Sequence, residues 1–102
     1  MVNYHDPSDA ELSLLAVALT NPQITTVVRL READFYAPLR GEVWDAVAQL
    51  HQGGVAPDVV TITSHLKLEP HRAQAIAELL VTAATFPAIP GNAEHYAQVV
   101  VE

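Results

Sequence analysis

Five histidines, twelve carboxylates and no cysteine are the side chains from which this chain would have to build a reactive centre. His65 and His71 are separated by a predicted helix break, and His51 and His95 are isolated in sequence. A helical zinc site needs two ligands one turn apart, as in H-E-x-x-H, and that pattern does not occur. The missing cysteines remove thiolate zinc sites and disulfides, a composition compatible with the cytosol. Asp58 and Thr61 would act on a substrate only beside a base and an oxyanion site, and neither is evident. Their spacing instead predicts that Asp58 caps a helix. No two carboxylates are spaced for acid–base work. The phosphate-cradling G-x-x-x-x-G-K-[ST] pattern is also absent. We therefore expect no catalytic, cofactor-binding or metal-binding residue in this chain, and a small helical enzyme is the weakest reading.

Charge points the same way. The net charge of −7 repels phosphate backbones. Arg29, Arg31 and Arg40 form the only close basic group, and acidic neighbours weaken it. Direct nucleic-acid binding is not expected, whereas basic protein surfaces would be attracted. Protonating all five histidines would bring the charge to −2, so acid should promote self-association.

These residues need a scaffold. A chain of 102 residues is read as one domain spanning 1–102, half of it hydrophobic and poor in aromatics. Such a chain buries roughly 65% of its unfolded surface, enough for a modest core. The N-terminus has no basic start or apolar signal core, and no apolar run approaches the roughly 18 residues of a membrane span. The expected setting is soluble and cytoplasmic.

Helical periodicity dominates. Ser8 to Leu19 reads as a helix opened by a Ser8–Glu11 capping box, with Pro7 just outside it. Leu12, Leu15, Ala16 and Leu19 share one face, and Leu14, Val17 and Ala18 make most of the rest apolar. Such a helix is packed on both sides. Asn21-Pro22 predicts a stop and a restart, giving a second helix to about Ala33 with Ile24, Val27, Val28 and Leu30 inward. The β-branched run Thr25 to Val28 leaves a strand as the alternative there. A third helix spans Pro38 to Gln52, burying Leu39, Val43, Trp44, Ala46, Val47 and Leu50 and ending at Gly53-Gly54. Asp58 opens a short fourth helix carrying Val59, Ile62 and Leu66. Pro70 opens a fifth, which fades near Thr85. After an extended connector, Asn92 caps a last helix containing Tyr96, Val99 and Val100.

In Asp34-Phe35-Tyr36 the expectation is a core Phe35 and an Asp34 that caps the coming turn. The competing reading is an aromatic knob facing a partner. Trp44 should fill the core with its indole N–H on a carbonyl or water. Glu42 and Asp45 beside it read as ordinary solvated charges.

Four stretches in fixed order carry a resemblance. They are Ala10-Glu11 with Leu15 and Leu19, Asp34-Phe35-Tyr36, Asp58 with Val60-Thr61, and Asn92 with Tyr96-Ala97 and Val100. In this order the chain resembles the N-terminal domain of DnaB-type replicative DNA helicases over nearly its whole length. It departs at Arg40-Gly41, where the family commonly has His-Arg, and at 67–72, where a Gly-Gly is missing. The resemblance implies a divergent, all-α, compact bundle of about six short helices. It also implies self-association, as a dimer or as a hexamer in the full-length protein, and docking of primase or a helicase loader. ATP and magnesium would enter only through a separate RecA-like domain. That function, protein–protein interaction in DNA replication, is the expectation. The alternative is a stand-alone regulatory or adaptor module detached from a motor.

The C-terminus supplies the expected contact residues. Val99, Val100 and Val101 point in three directions around a helix that lacks a stop signal at Glu102. With Tyr96 they are the candidate partner-binding residues, and the helix is expected to continue into a hairpin.

Overall fold

The apolar circumference of the first helix decides the architecture. In the computed structural model, which describes residues 7–101, helix α1 (Pro7–Thr20) runs through the middle and packs chiefly on three of the other helices, with a smaller contact to a fourth. Leu12, Leu14, Leu15, Val17 and Ala18 are all buried, so a neighbour covers each side of it. The readings made on His5, on the signal-free first residues and on Glu102 lie outside the described residues.

Five helices follow: α2 (Ile24–Val27), α3 (Pro38–Gln52), α4 (Val59–Leu66), α5 (Pro70–Thr85) and α6 (Ala93–Val101). Among the described residues there is no strand, and the fold is all-α. α1 packs most extensively against α6, and also meets α3 and α5, while α4 bridges α3 and α5. One apolar core joins Leu14, Leu15, Val43, Trp44, Val47, Ile62 and Ile76. No single described helix is long and apolar enough to cross a membrane.

Helix starts follow local chemistry. Pro38 and Pro70 each take the first turn, where the missing N–H needs no partner. Asp58 Oδ1 accepts from Thr61 N–H at 2.7 Å, and Thr61 Oγ1 accepts from Asp58 N–H at 2.8 Å. This reciprocal cap is the role the sequence predicts for both residues. α3 ends at Gly53, and Gly54 takes the left-handed turn at φ 78°.

The second helix is the main departure. It is a single turn, not a helix reaching Ala33. The hydroxyls of Thr25 and Thr26 bond back to the carbonyls of Pro22 and Gln23, at 2.8 and 2.7 Å. Together with the β-branched run, this competes with helix propagation. Val28 is already extended, at φ −95° and ψ 104°. A 3₁₀ turn, Glu32–Asp34, completes the passage to α3. Val28 is buried as expected, but Val27 points outward and is 61% exposed. The extended stretch leaves the Leu30 carbonyl without a helical partner, and Trp44 Nε1–H donates to it at 3.2 Å.

Two capping expectations also change. Pro7 and Ser8 lie inside α1, so Ser8 is not its cap. Glu11 turns instead toward α3 and the 3₁₀ turn, where it accepts from Tyr36 N–H and pairs with Arg40. Asp34 reaches back, not forward: its Oδ2 accepts from Arg31 N–H at 2.8 Å.

Candidate docking surface

The last helix carries two stripes at helical spacing. Ala93, Tyr96, Ala97 and Val100 form the inner one and pack on the core. Tyr96 also ties down the connector before the helix, because its Oη accepts from Ile89 N–H at 3.0 Å. A 3₁₀ turn, Pro90–Asn92, leads straight into α6, and Asn92 lies within that turn. The outer stripe is Glu94, Gln98 and Val101, and together with the edge of Ala97 it forms one wall of an open cleft. The opposite wall is residues 27–30.

That cleft divides the four residues expected at a contact. Val101 lines it and is 56% exposed. Val99 is half-buried, whereas Tyr96 and Val100 sit on the inner side. Val27, on the far wall, was not among the candidates. Its exposure follows from the early end of α2, which β-branching hinted at without fixing the direction. Two exposed valines 74 positions apart in sequence thus share one surface.

The charged residues do not gather into a reaction centre. Arg40 is ion-paired to Glu11 and Arg31 to Asp34, so the arginine group is largely neutralised. Arg29, exposed, lines the cleft with Glu94 facing it from α6. Glu42 is not an ordinary solvated charge: it bridges to Arg72 and links α3 to α5. The hydrogen bond and charge of Glu42 hold the Arg72 guanidinium above its ordinary pKa. Asp45 accepts from Gln49 Nε2 at 2.7 Å, and His65 Nε2 lies 2.8 Å from Gln49 Oε1. Among the described residues, no three His, Asp or Glu side chains converge as metal ligands.

What remains is a helical bundle with an open cleft of mixed polarity beside its last helix, and the fold of that bundle recurs in known proteins. The family model for the DnaB-like helicase N-terminal domain matches residues 3–102. This chain belongs to that family. The replicative DNA helicase DnaB of Leifsonia xyli subsp. xyli (strain CTCB07) is 33% identical over 100 residues, covering 96% of this chain. The chain spans 22% of that helicase's length. The crystal structure of the N-terminal domain of DnaB helicase from Mycobacterium tuberculosis superposes with a TM-score of 0.75 at 32% identity. That match covers 92% of this chain and 69% of the other. As a DnaB N-terminal domain, the chain carries the fold that its four ordered stretches indicate. In this structure those stretches fall on α1, the turn before α3, the start of α4, and α6.

Proposed function

We propose that this DnaB-type domain works by docking: it self-associates through the cleft between α6 and residues 27–30, and it helps hold primase or a helicase loader at the replication fork. The observation that carries this reading is the pairing of Val27 and Val101 across one exposed cleft. Apolar patches rimmed by polar groups mark contact surfaces. Glu94 and Arg29 supply that rim with both signs of charge, so the cleft sets opposite charges locally against a copy, in opposition to the repulsion from the net charge of −7.

In this reading Val101 and Val99 touch the partner copy, and Tyr96 and Val100 hold α6 in place behind them. Unwinding and ATP hydrolysis with magnesium belong to a RecA-like domain outside these 102 residues, in a cytoplasmic full-length helicase. The domain itself does not touch DNA, in keeping with its net charge of −7.

Light scattering over a concentration series tests the self-contact. The chain should form dimers or larger species, and Val27→Asp and Val101→Asp should each shift it toward monomer without lowering its melting temperature. A chain that stays monomeric at the highest concentration, or aspartate variants that associate as well as the parent, would overturn the reading. Titration with a purified primase or loader from the same replication system tests the second half.

A further inference from the structure

A second apolar surface lies away from α6, where the end of α1, the start of α4 and the end of α5 meet. Its groove is lined by Leu19, Pro57, Val59, Leu80, Val81 and Ala84. Val81 is 64% exposed, and Val60 beside Val59 is more open still. The only charged side chain in the lining is Asp58. No lysine or arginine occurs on α1, on α4 or on α5 beyond Arg72, so the walls offer a carboxylate and no cation.

We propose that this groove seats a segment of another protein in which aliphatic side chains stand next to lysine or arginine. The aliphatic groups enter between Val59 and Val81, and the cation meets Asp58. Two features favour this occupant. The floor is apolar, so affinity comes from buried carbon surface. The rim carries one carboxylate, Asp58, and no cation, so orientation and choice of partner come from opposite charge. A second copy of this chain fits poorly. It brings a net charge of −7, and Arg31, Arg40 and Arg72, three of its five basic residues, are committed to internal bridges. Asp58 is charged near neutral pH, as an ordinary carboxylate is, and hydrogen bonds from Thr61 lower its pKa further.

This inference rests on the docking reading in general but not on the α6 cleft, so the two fail separately. The probe is a synthetic amphipathic helix of leucine and lysine, titrated into the ¹⁵N-labelled chain. One control keeps the leucine face and replaces lysine with glutamate; a second keeps lysine and replaces leucine with serine. The leucine–lysine peptide should give saturable shifts at Leu19, Val59, Val81 and Ala84. Val81→Asp should weaken its binding about tenfold through lost apolar contact. Asp58→Asn keeps a capping side chain and should weaken binding about threefold through lost charge alone. Absence of saturable shifts, shifts centred on the α6 cleft, equal binding of either control, or an unaffected Val81→Asp variant would each overturn the proposal. Light scattering on the Val27 and Val101 variants reads out self-association independently.

Discussion

Glu11 Oε1 on α1 lies 3.3 Å from Arg40 Nη1 on α3, and Glu11 is only 1% exposed. The same arginine nitrogen donates to the Ser8 carbonyl at 2.9 Å and to Ser8 Oγ at 3.0 Å. Glu11 Oε2 accepts from Tyr36 N–H. One buried carboxylate therefore ties α1 to α3 and to the turn that leads into α3. Removing the cation strands that carboxylate, which typically costs more than the pair contributes. Arg40→Met should destabilise the chain by roughly 3 kcal/mol in urea unfolding. Glu11→Gln keeps an acceptor for Tyr36 N–H and should cost about 1–2 kcal/mol. An Arg40→Met loss under about 0.5 kcal/mol would refute the clamp.

Phe35 and Tyr36 are adjacent and opposite in fate. Phe35 is buried with its ring centroid 5.7 Å from that of Trp44, whereas Tyr36 is 92% exposed. Tyr36 contributes its backbone N–H to the clamp, and a substitution there keeps that group. Phe35→Ala should therefore cost about 3–5 kcal/mol. Tyr36→Ala should stay within about 0.5 kcal/mol. Calorimetry on the two variants checks the contrast, and a Tyr36→Ala loss comparable to that of Phe35→Ala would contradict it.

These neighbours also mark what sequence periodicity can and cannot convey. The helices from Pro38, Asp58 and Pro70 were legible because proline and a capping aspartate act on their own chain within a turn. The core positions of Phe35 and Trp44 were legible from their size and from the helical spacing around Trp44. Glu11 was misread because three-residue spacing from Ser8 imitates a cap, while its partners lie 25 and 29 positions away. The length of α2 was misread because threonine back-bonding, invisible to apolar spacing, ended it after one turn. Of the candidate residues on α6, the valines stand out in sequence because three in a row point in different directions around a helix, but only the fold places Val101 and Val27 along one cleft.

Gly41 illustrates a close approach hidden from any single segment. A methyl group there would collide with the Glu32 carbonyl oxygen and lie 3.0 Å from Glu32 Cγ. That carbonyl accepts from Phe35 N–H in the 3₁₀ turn, so it is not free to swing aside. Alanine would raise helix propensity by about 1 kcal/mol. Overpacking against backbone costs about 1–3 kcal/mol or more, and it should win. Gly41→Ala is expected to lower stability by about 1–2 kcal/mol in urea unfolding, and a stabilised variant would show that the turn can move away from α3.

Asp58 gives the chain an acid-sensitive helix start. Hydrogen bonds from Thr61, first the backbone and then the side chain, lower its pKa from the ordinary 3.8. The folded state therefore holds this proton less tightly than the unfolded one. The resulting stability is fully present above the unfolded value and is lost as pH falls below it and through the folded value. Asp58→Asn retains a capping oxygen but cannot titrate. The parent should lose more stability than Asp58→Asn as pH drops from 5 toward 2.5, a range of roughly two units around the ordinary carboxylate value. Parallel urea titrations of both proteins across that range check this. Identical slopes would mean that the Thr61 contacts hold the protonated and charged forms alike, and that the cap contributes geometry without charge.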